Sequence, residues 1–346
     1  MRRAYGYTLI VVLCWAISLP TGKALLLAER AGERLTPLQA SFWSIGVGWL
    51  ALLLVLAMRG RLGTLRAITG RGWLVLVAMG FFGWAGYVVA LNTAFVRIPL
   101  PDAIVINYLH PVFVVLFQGR AFGTVARAIS GWEQSAVPAK RPRAWPMAAG
   151  LALCLCGVAF IVTDGRLAQL ASLRLSTGAL AALFAAFSWG VYSNLGRFVQ
   201  VRAGTEDGGL GDVQSWLAMT FGLAMIGIGL AFGAGPGLPS GRETAIYLGS
   251  RGPHLTSAWV FVAIMGVLVY GYAYSLWLVA LEIGRRAGIA HRLPPLTYLT
   301  PALGVLIGLV VLHEPFGPAF WQGAGLIAAG NLVIALGRSG GRSAET

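Results

Sequence analysis

Two runs gather the side chains best suited to binding chemistry: Asn107-Tyr108-Leu109-His110-Pro111 and Thr297-Tyr298-Leu299-Thr300-Pro301. Each sits well inside a long apolar segment. A proline within a helix lacks an N–H and disrupts the bond to the carbonyl four residues earlier. The carbonyls of Asn107 and Thr297 are therefore released. In hydrocarbon such groups must find partners or line a wet cavity. Asn107, Tyr108 and His110 in one run, and Thr297, Tyr298 and Thr300 in the other, put an amide, an imidazole and hydroxyls beside them. The chemistry on offer is reversible hydrogen bonding to a polar ligand midway through the apolar layer. The plainer alternative is a pair of packing kinks whose polar groups satisfy one another.

Aromatic side chains flank these runs. Tyr270, Tyr274 and Trp277 share one helical stripe at i, i+4 and i+7. Trp84 and Tyr87 lie three apart, and Trp15 with Ser18 has its counterpart in Trp189 with Tyr192. Cavity lining and buried packing are equally open to Trp15, Trp84 and Trp189. Trp73, Trp145, Trp259 and Trp321 instead hold the positions of interfacial belts. Together with Pro111 and Pro301, the residues of the two runs and of these stripes form the set expected to surround a small-molecule substrate.

Catalysis finds little material. His110 is the one titratable residue near the middle of an apolar segment, while Glu282, His291 and Glu314 lie close to segment ends. An ionisable group at such depth is a functional candidate, and a neutral hydrogen-bonded ring is the expected state of His110. With no buried carboxylate for a proton or sodium relay, facilitated diffusion or exchange is left. Gly337-Arg338-Ser339-Gly340 matches the G-x-S-G pattern of intramembrane serine proteases, but it falls beyond the last apolar segment and no histidine follows it. No aspartate pair shares the apolar interior, and the zinc-protease and nucleotide-binding motifs are missing. Cys14, Cys154 and Cys156 lie in apolar segments, the last two on different helix faces, which suits neither a disulfide framework nor zinc. No enzymatic activity, cofactor or metal is expected.

Holding these residues in place calls for an all-α polytopic membrane domain. Of the 346 residues 57% are hydrophobic and only 11% charged. Apolar stretches long enough to cross a bilayer occur near 7–27, 36–58, 73–95, 102–119, 145–163, 177–197, 213–233, 257–281, 289–312 and 318–337. The net charge of +14 could suggest nucleic acid, but its placement argues otherwise. With a cytoplasmic N-terminus, 18 of the 26 Lys and Arg fall on the inner side and 7 on the outer. That bias is the mark of cytoplasmic loops in a cell membrane, inner or plasma. An even number of crossings puts both termini inside. The expected partners are anionic lipid headgroups and the substrate, with no nucleic acid. Residues 120–144 form a basic inner loop, 234–256 an outer loop rich in Gly and Pro, and 338–346 a disordered polar tail. The Met-Arg-Arg start has the look of a signal peptide, but its apolar run carries Lys23 and exceeds the roughly 7–15 residues of a signal core. The first segment is expected to stay.

The chain is also duplicated. Trp15 precedes Gly22-Lys23 by the spacing with which Trp189 precedes Gly196-Arg197. One five-helix repeat spans 1–163 and the second 177–337. Five crossings is an odd number, so the second repeat enters the membrane inverted, as in carriers whose two states arise by exchanging the roles of their halves.

With these features the chain resembles the drug/metabolite transporter superfamily, in its EamA-like branch, over roughly residues 7–337. The resemblance rests on Trp15 and Trp189, on the proline-bearing fourth and ninth helices, and on Tyr298-Leu299-Thr300-Pro301 running to His313-Glu314-Pro315. Asn107-Tyr108-Leu109-His110-Pro111 and Phe320-Trp321-Gln322-Gly323 look closest to the aromatic amino-acid exporters, in which the fourth position of the first motif is usually tryptophan where His110 stands here. The usual acid ending the fourth helix is missing as well, and the basic loop takes its place. The resemblance implies a cavity lined by helices 1, 3, 4, 6, 8 and 9. It also implies a secondary transporter that moves small metabolites outward, amino acids including aromatic ones foremost, by alternating access around a midplane site. A non-transporting sensor or scaffold, or a lipid-modifying membrane enzyme, are the other classes in play.

Overall fold

A computed structural model of the chain describes residues 1–26, 35–68, 70–98, 100–118, 122, 144–168, 176–199, 211–233, 243–247, 253–304 and 318–336. The basic loop apart from Phe122 and Ala144, the Lys23 side chain, Gly308, His313-Glu314-Pro315 and the tail from Gly337 lie outside the described residues.

Helices α1 (Arg2–Leu26) and α2 (Pro37–Met58) are followed by a 3-10 stretch, Arg61–Ala67, and by α3 (Gly72–Arg97). Then come α4 (Leu100–Asn107), α5 (His110–Phe117), α6 (Ala144–Val162), α7 (Thr177–Phe198) and α8 (Gly211–Phe232). After strands β1 (Glu243–Tyr247) and β2 (Pro253–Ser257), α9 occupies 258–286 and α10 Pro318–Leu336. Between these last two helices lie 3-10 turns at Ala290–Arg292 and Pro294–Tyr298, then a helical stretch over 299–304. Among the described residues, five helices are long and apolar enough to cross a membrane: α2, α3, α7, α8 and α9 from Trp259. Two shorter apolar segments are Asp102–Phe117 and Trp145–Ile161.

Local chemistry sets the ends. Thr36 opens α2 with a capping box: its hydroxyl accepts from Gln39 N at 3.2 Å, and Gln39 Oε1 accepts from Thr36 N at 2.9 Å. Pro37 at the first helical position gives up nothing there, since that N–H has no helical partner. Gly60, at φ 64°, stops α2 in the left-handed conformation that a side chain would resist. Ser176 caps α7 through Ala179 N at 3.2 Å.

The duplication becomes visible in how the helices touch. Where helix packing gains little from the hydrophobic effect, small residues let backbones close in. A Cβ placed on Gly48 of α2 would lie 2.5 Å from the Gly266 carbonyl oxygen of α9. One placed on Gly222 of α8 would lie 2.8 Å from the Gly80 carbonyl oxygen of α3. Gly48 comes eleven residues after Pro37, and Gly222 eleven after Gly211, so the second helix of each repeat meets the third helix of the other in the same way. The fifth helices, α6 and α10, close on each other reciprocally through Gly157 with Gly323 and Gly150 with Gly330.

Three expectations need correction. The fourth segment is kinked more sharply than proline alone requires: a turn at Tyr108-Leu109 separates α4 from α5 within the apolar helix Asp102–Phe117. The ninth does not start as an α-helix at Ile289, because Pro294 and Pro295 lack the N–H groups that α-helical bonds need, and 3-10 turns replace them. The expected loop 234–256 includes β1 and part of β2, an antiparallel pair with Ala245 opposite Leu255, so the fold is helical with one small hairpin. A fourth departure bears on the site. Both α3 and α9 pass through π-helical turns, at Phe81–Gly86 and Ile264–Ala273, and these are the third helices of the two repeats.

Candidate functional site

The two proline runs meet. Tyr108 and Tyr298, matching residues of the repeats, have ring centroids 6.1 Å apart. Proline at 111 frees the Asn107 carbonyl, and His110 Nδ1 takes it up at 2.9 Å. A carbonyl can only accept, so in this geometry Nδ1 carries the hydrogen. The other ring nitrogen, Nε2, faces Thr297 Oγ1 of the second repeat at 3.4 Å, while that hydroxyl donates to the Pro294 carbonyl at 2.7 Å.

Beside this junction lies a cavity of about 50 Å³, room for a few water molecules. Helix α1 contributes Trp15 and Ser18, and α7 contributes Trp189. From α3 come Tyr87, Leu91, Asn92 and Phe95. Asn107, Tyr108 and His110 supply the α4–α5 side, with Thr300 opposite. The remaining wall is Met265, Val269, Tyr270 and Tyr274 of α9. Both repeats thus share the lining.

Several of these residues carry buried polar atoms with no hydrogen-bond partner in the protein: Trp15 Nε1, Trp189 Nε1, Asn107 Oδ1 and Thr300 Oγ1. The Tyr87 hydroxyl faces Asn107 and the Tyr108 hydroxyl faces Thr300, but neither approach closes a bond onto Asn107 Oδ1 or Thr300 Oγ1. Buried unpaired groups each cost about 1–3 kcal/mol, so these four around one cavity offer bonds to a ligand's polar atoms or to ordered water. No group of three or more His, Cys, Asp or Glu able to hold a metal occurs among the described residues.

A family model for the EamA-like transporter family matches residues 2–127 and 176–336, once for each repeat. The chain belongs to the EamA-like transporter family. It is accordingly an integral membrane protein of a family of transporters, built as two repeats. A comparison with curated proteins returns no match. Eighteen chains of solved structures match. One, titled only as the crystal structure of a protein, is 22% identical over 96% of each chain with a TM-score of 0.65, and it speaks to the fold.

Within this transporter fold, ten of the sixteen residues expected around a substrate line the cavity: Trp15, Ser18, Tyr87, Asn107, Tyr108, His110, Trp189, Tyr270, Tyr274 and Thr300. They come from the helices that the resemblance had implied. Six do not line it. Trp84 stands behind the wall, stacked on Tyr274 at 4.4 Å. Tyr192 is fully buried, its hydroxyl 3.5 Å from Ser215 Oγ. Trp277 turns away and donates to Ser193 Oγ at 2.9 Å. Tyr298 is buried in a separate cluster with Cys154 and Ile327. Pro111 and Pro301 are not in the lining.

Sequence reasoning missed Leu91, Asn92, Phe95, Met265 and Val269. Leu91 and Phe95 extend the Tyr87 stripe of α3 at i+4 and i+8, a pattern open to view. Asn92 is held by donating to Ser41 Oγ at 2.9 Å. On α9 the assumption of α-helical spacing was at fault. A π turn has more residues than an α turn, so the face bearing Tyr274 runs back through Tyr270, Val269 and Met265.

Proposed function

We propose that the chain is a secondary transporter that carries small metabolites, amino acids and aromatic ones foremost, out of the cell by alternating access. The observation that carries this reading is the cavity shared by both repeats, with unpartnered polar atoms on residues from each. In this reading ten helices cross the cell membrane, both termini are cytoplasmic, and the halves rock about the Tyr108–Tyr298 junction. A zwitterionic head would take the indole N–H groups of Trp15 and Trp189, with Asn107 Oδ1 and Thr300 Oγ1 receiving its donors. An aromatic body would rest on Tyr87, Tyr270 and Tyr274, whose rings favour offset or edge-on contact.

In this reading binding parts the lining of the cavity. That suits a carrier, whose ligand shifts a conformational equilibrium through its differential affinity for the two states. The test is counterflow in proteoliposomes: vesicles loaded with unlabelled amino acids should accumulate the labelled form above equilibrium, aromatic ones fastest. Uptake that saturates at the amount of protein present would point to a binding protein and end the transport reading.

A further inference from the structure

Four polar contacts that pass from one repeat to the other lie at one end of the bundle, apart from those at mid-depth such as Trp49 Nε1 to Thr220 Oγ1. That end is where α2 finishes and α8 begins, and there Arg61 Nη1 meets Asp212 Oδ2 at 2.6 Å, with the Asp212 side chain only 9% exposed. In the same layer α7 sends Asn194 Nδ2 to the Val114 carbonyl and Arg197 Nη2 to the Phe117 carbonyl, both at 3.0 Å. Gln118, just past α5, donates from Nε2 to the Ala290 carbonyl at 3.4 Å. Every one of these joins the first repeat to the second.

The duplication gives this cluster its meaning. The spacing that pairs Trp15 with Trp189, and Gly48 with Gly222, also pairs Leu38 with Asp212, Pro20 with Asn194 and Gly235 with Arg61. The spacing that pairs Tyr108 with Tyr298 pairs Gln118 with Gly308. Leu38, Pro20, Gly235 and Gly308 have no charge and no side-chain donor. Of the donors and acids in the cluster, Arg197 alone has a polar counterpart, Lys23. Exchanging the roles of the halves therefore cannot rebuild this set of bonds at the opposite end.

The cavity lies away from the cluster. Helix α3 starts beside Arg61–Ala67 and runs outward from that end, and its cavity residues Tyr87, Leu91, Asn92 and Phe95 belong to its later turns. Met265 stands near the start of α9, whose last turns carry Arg285 back to the Ser193 carbonyl at the latched end.

We infer that Arg61–Asp212, Asn194–Val114, Arg197–Phe117 and Gln118–Ala290 form an asymmetric latch that makes closure at this end the resting state of the protein. The inference rests on the transporter reading in one respect, that the alternative state is the one open at the latched end. Two repeats with equal latches would leave the states balanced. Here the unequal side chains bias them, and a ligand must overcome the bias through its preference for the opened state.

The test measures distance, and needs no substrate. Spin labels at Met58 and Ala287, which flank the latch on different repeats, are placed in full-length protein whose three cysteines have been replaced, in lipid bilayers. The parent protein should give one short, narrow distance distribution. Asp212→Asn and Arg61→Gln should each raise the ratio of long to short distances about tenfold, within the range of ordinary conformational couplings. The double variant should go little further than the stronger of the two single ones, since both break the Arg61–Asp212 contact. Gln118→Ala removes a single neutral bond and should shift the ratio the same way by less, which guards against misfolding of the charge variants. A distribution unmoved by Asp212→Asn and Gln118→Ala, or one already dominated by long distances in the parent protein, overturns the latch. Labels that respond while counterflow stays silent would remove the transport reading and leave the latch standing. Active counterflow with unresponsive labels would do the reverse.

Discussion

Trp15 and Trp189 occupy matching places in the two repeats, and they meet edge to face with centroids 5.1 Å apart and planes at 80°. The contact lies on the line along which the halves face each other, so motion of one repeat against the other must alter it. Tyr274 packs against both rings, at 6.3 Å from Trp15 and 4.7 Å from Trp189. Neither indole nitrogen has a partner in the protein. A ring pair that contributes packing while keeping its donors free is suited to holding a ligand without being held by the fold.

Replacing Trp15 or Trp189 by Phe keeps an aromatic contact and removes the N–H. A hydrogen bond to a ligand contributes on the order of 1 kcal/mol, so counterflow should fall roughly five- to tenfold. No internal hydrogen bond is lost, and melting temperature in detergent should fall by only a few degrees, about what trimming a buried ring entails. A large drop in melting temperature with flux per folded molecule unchanged would show that the indoles serve packing alone.

Thr300 and Tyr298 allow a sharper contrast. Both hydroxyls are buried and without a partner, but only Thr300 lines the cavity. Thr300→Val and Tyr298→Phe each delete an unsatisfied group, which should leave stability level or raise it by about 1 kcal/mol. Flux should fall with Thr300→Val and hold with Tyr298→Phe. Parallel thermal melts and counterflow on the two variants decide it, and equal loss of flux in both would detach the unpartnered atoms from ligand binding.

Much of this was legible in the sequence, for identifiable reasons. The repeat showed itself because Trp15 with Trp189 and Tyr108 with Tyr298 keep both type and spacing, and residues so kept end up in contact. The release of the Asn107 carbonyl follows from the covalent structure of Pro111, and what takes it up is the neighbouring His110. The π turns of α3 and α9 left no such mark. They hold apolar and glycine residues whose side chains do not dictate the number of residues per turn, so Met265 and Val269 passed unseen. The 3-10 start before Tyr298 was written in Pro294-Pro295, but a long apolar run overshadowed it. β1 and β2 are five residues each, too short for alternation to stand out from a Gly- and Pro-rich connection.

The α6–α10 interface should be intolerant of a single methyl group at chosen positions. A Cβ on Gly157 would lie 2.5 Å from the Gly323 carbonyl oxygen, whereas at Gly325 nothing lies within 4 Å. Backbone cannot retreat as a flexible side chain can. Gly157→Ala should therefore destabilise by about 1–3 kcal/mol, the usual penalty for overpacking. Gly325→Ala should be neutral or gain slightly, because alanine restricts the unfolded chain and favours helix. Thermal melts of the two variants in the same detergent check the difference, and similar melting temperatures would mean that the helices separate easily.

His110 ties the proline break to the other repeat, and its two nitrogens can be tested one at a time. An asparagine at this position can present an N–H near the place of Nδ1, so His110→Asn should keep the bond to the Asn107 carbonyl and give up the approach to Thr297. A phenylalanine fills the ring's space but leaves the carbonyl bare. Leaving a buried carbonyl unpaired costs about 1–3 kcal/mol, whereas the Thr297 hydroxyl keeps its own bond to the Pro294 carbonyl in either variant. His110→Phe should therefore melt well below the parent protein, and His110→Asn close to it. Flux should fall in both, because each takes the Nε2 acceptor of His110 out of the cavity lining. Retention of full counterflow by His110→Asn would confine the histidine to capping its own helix.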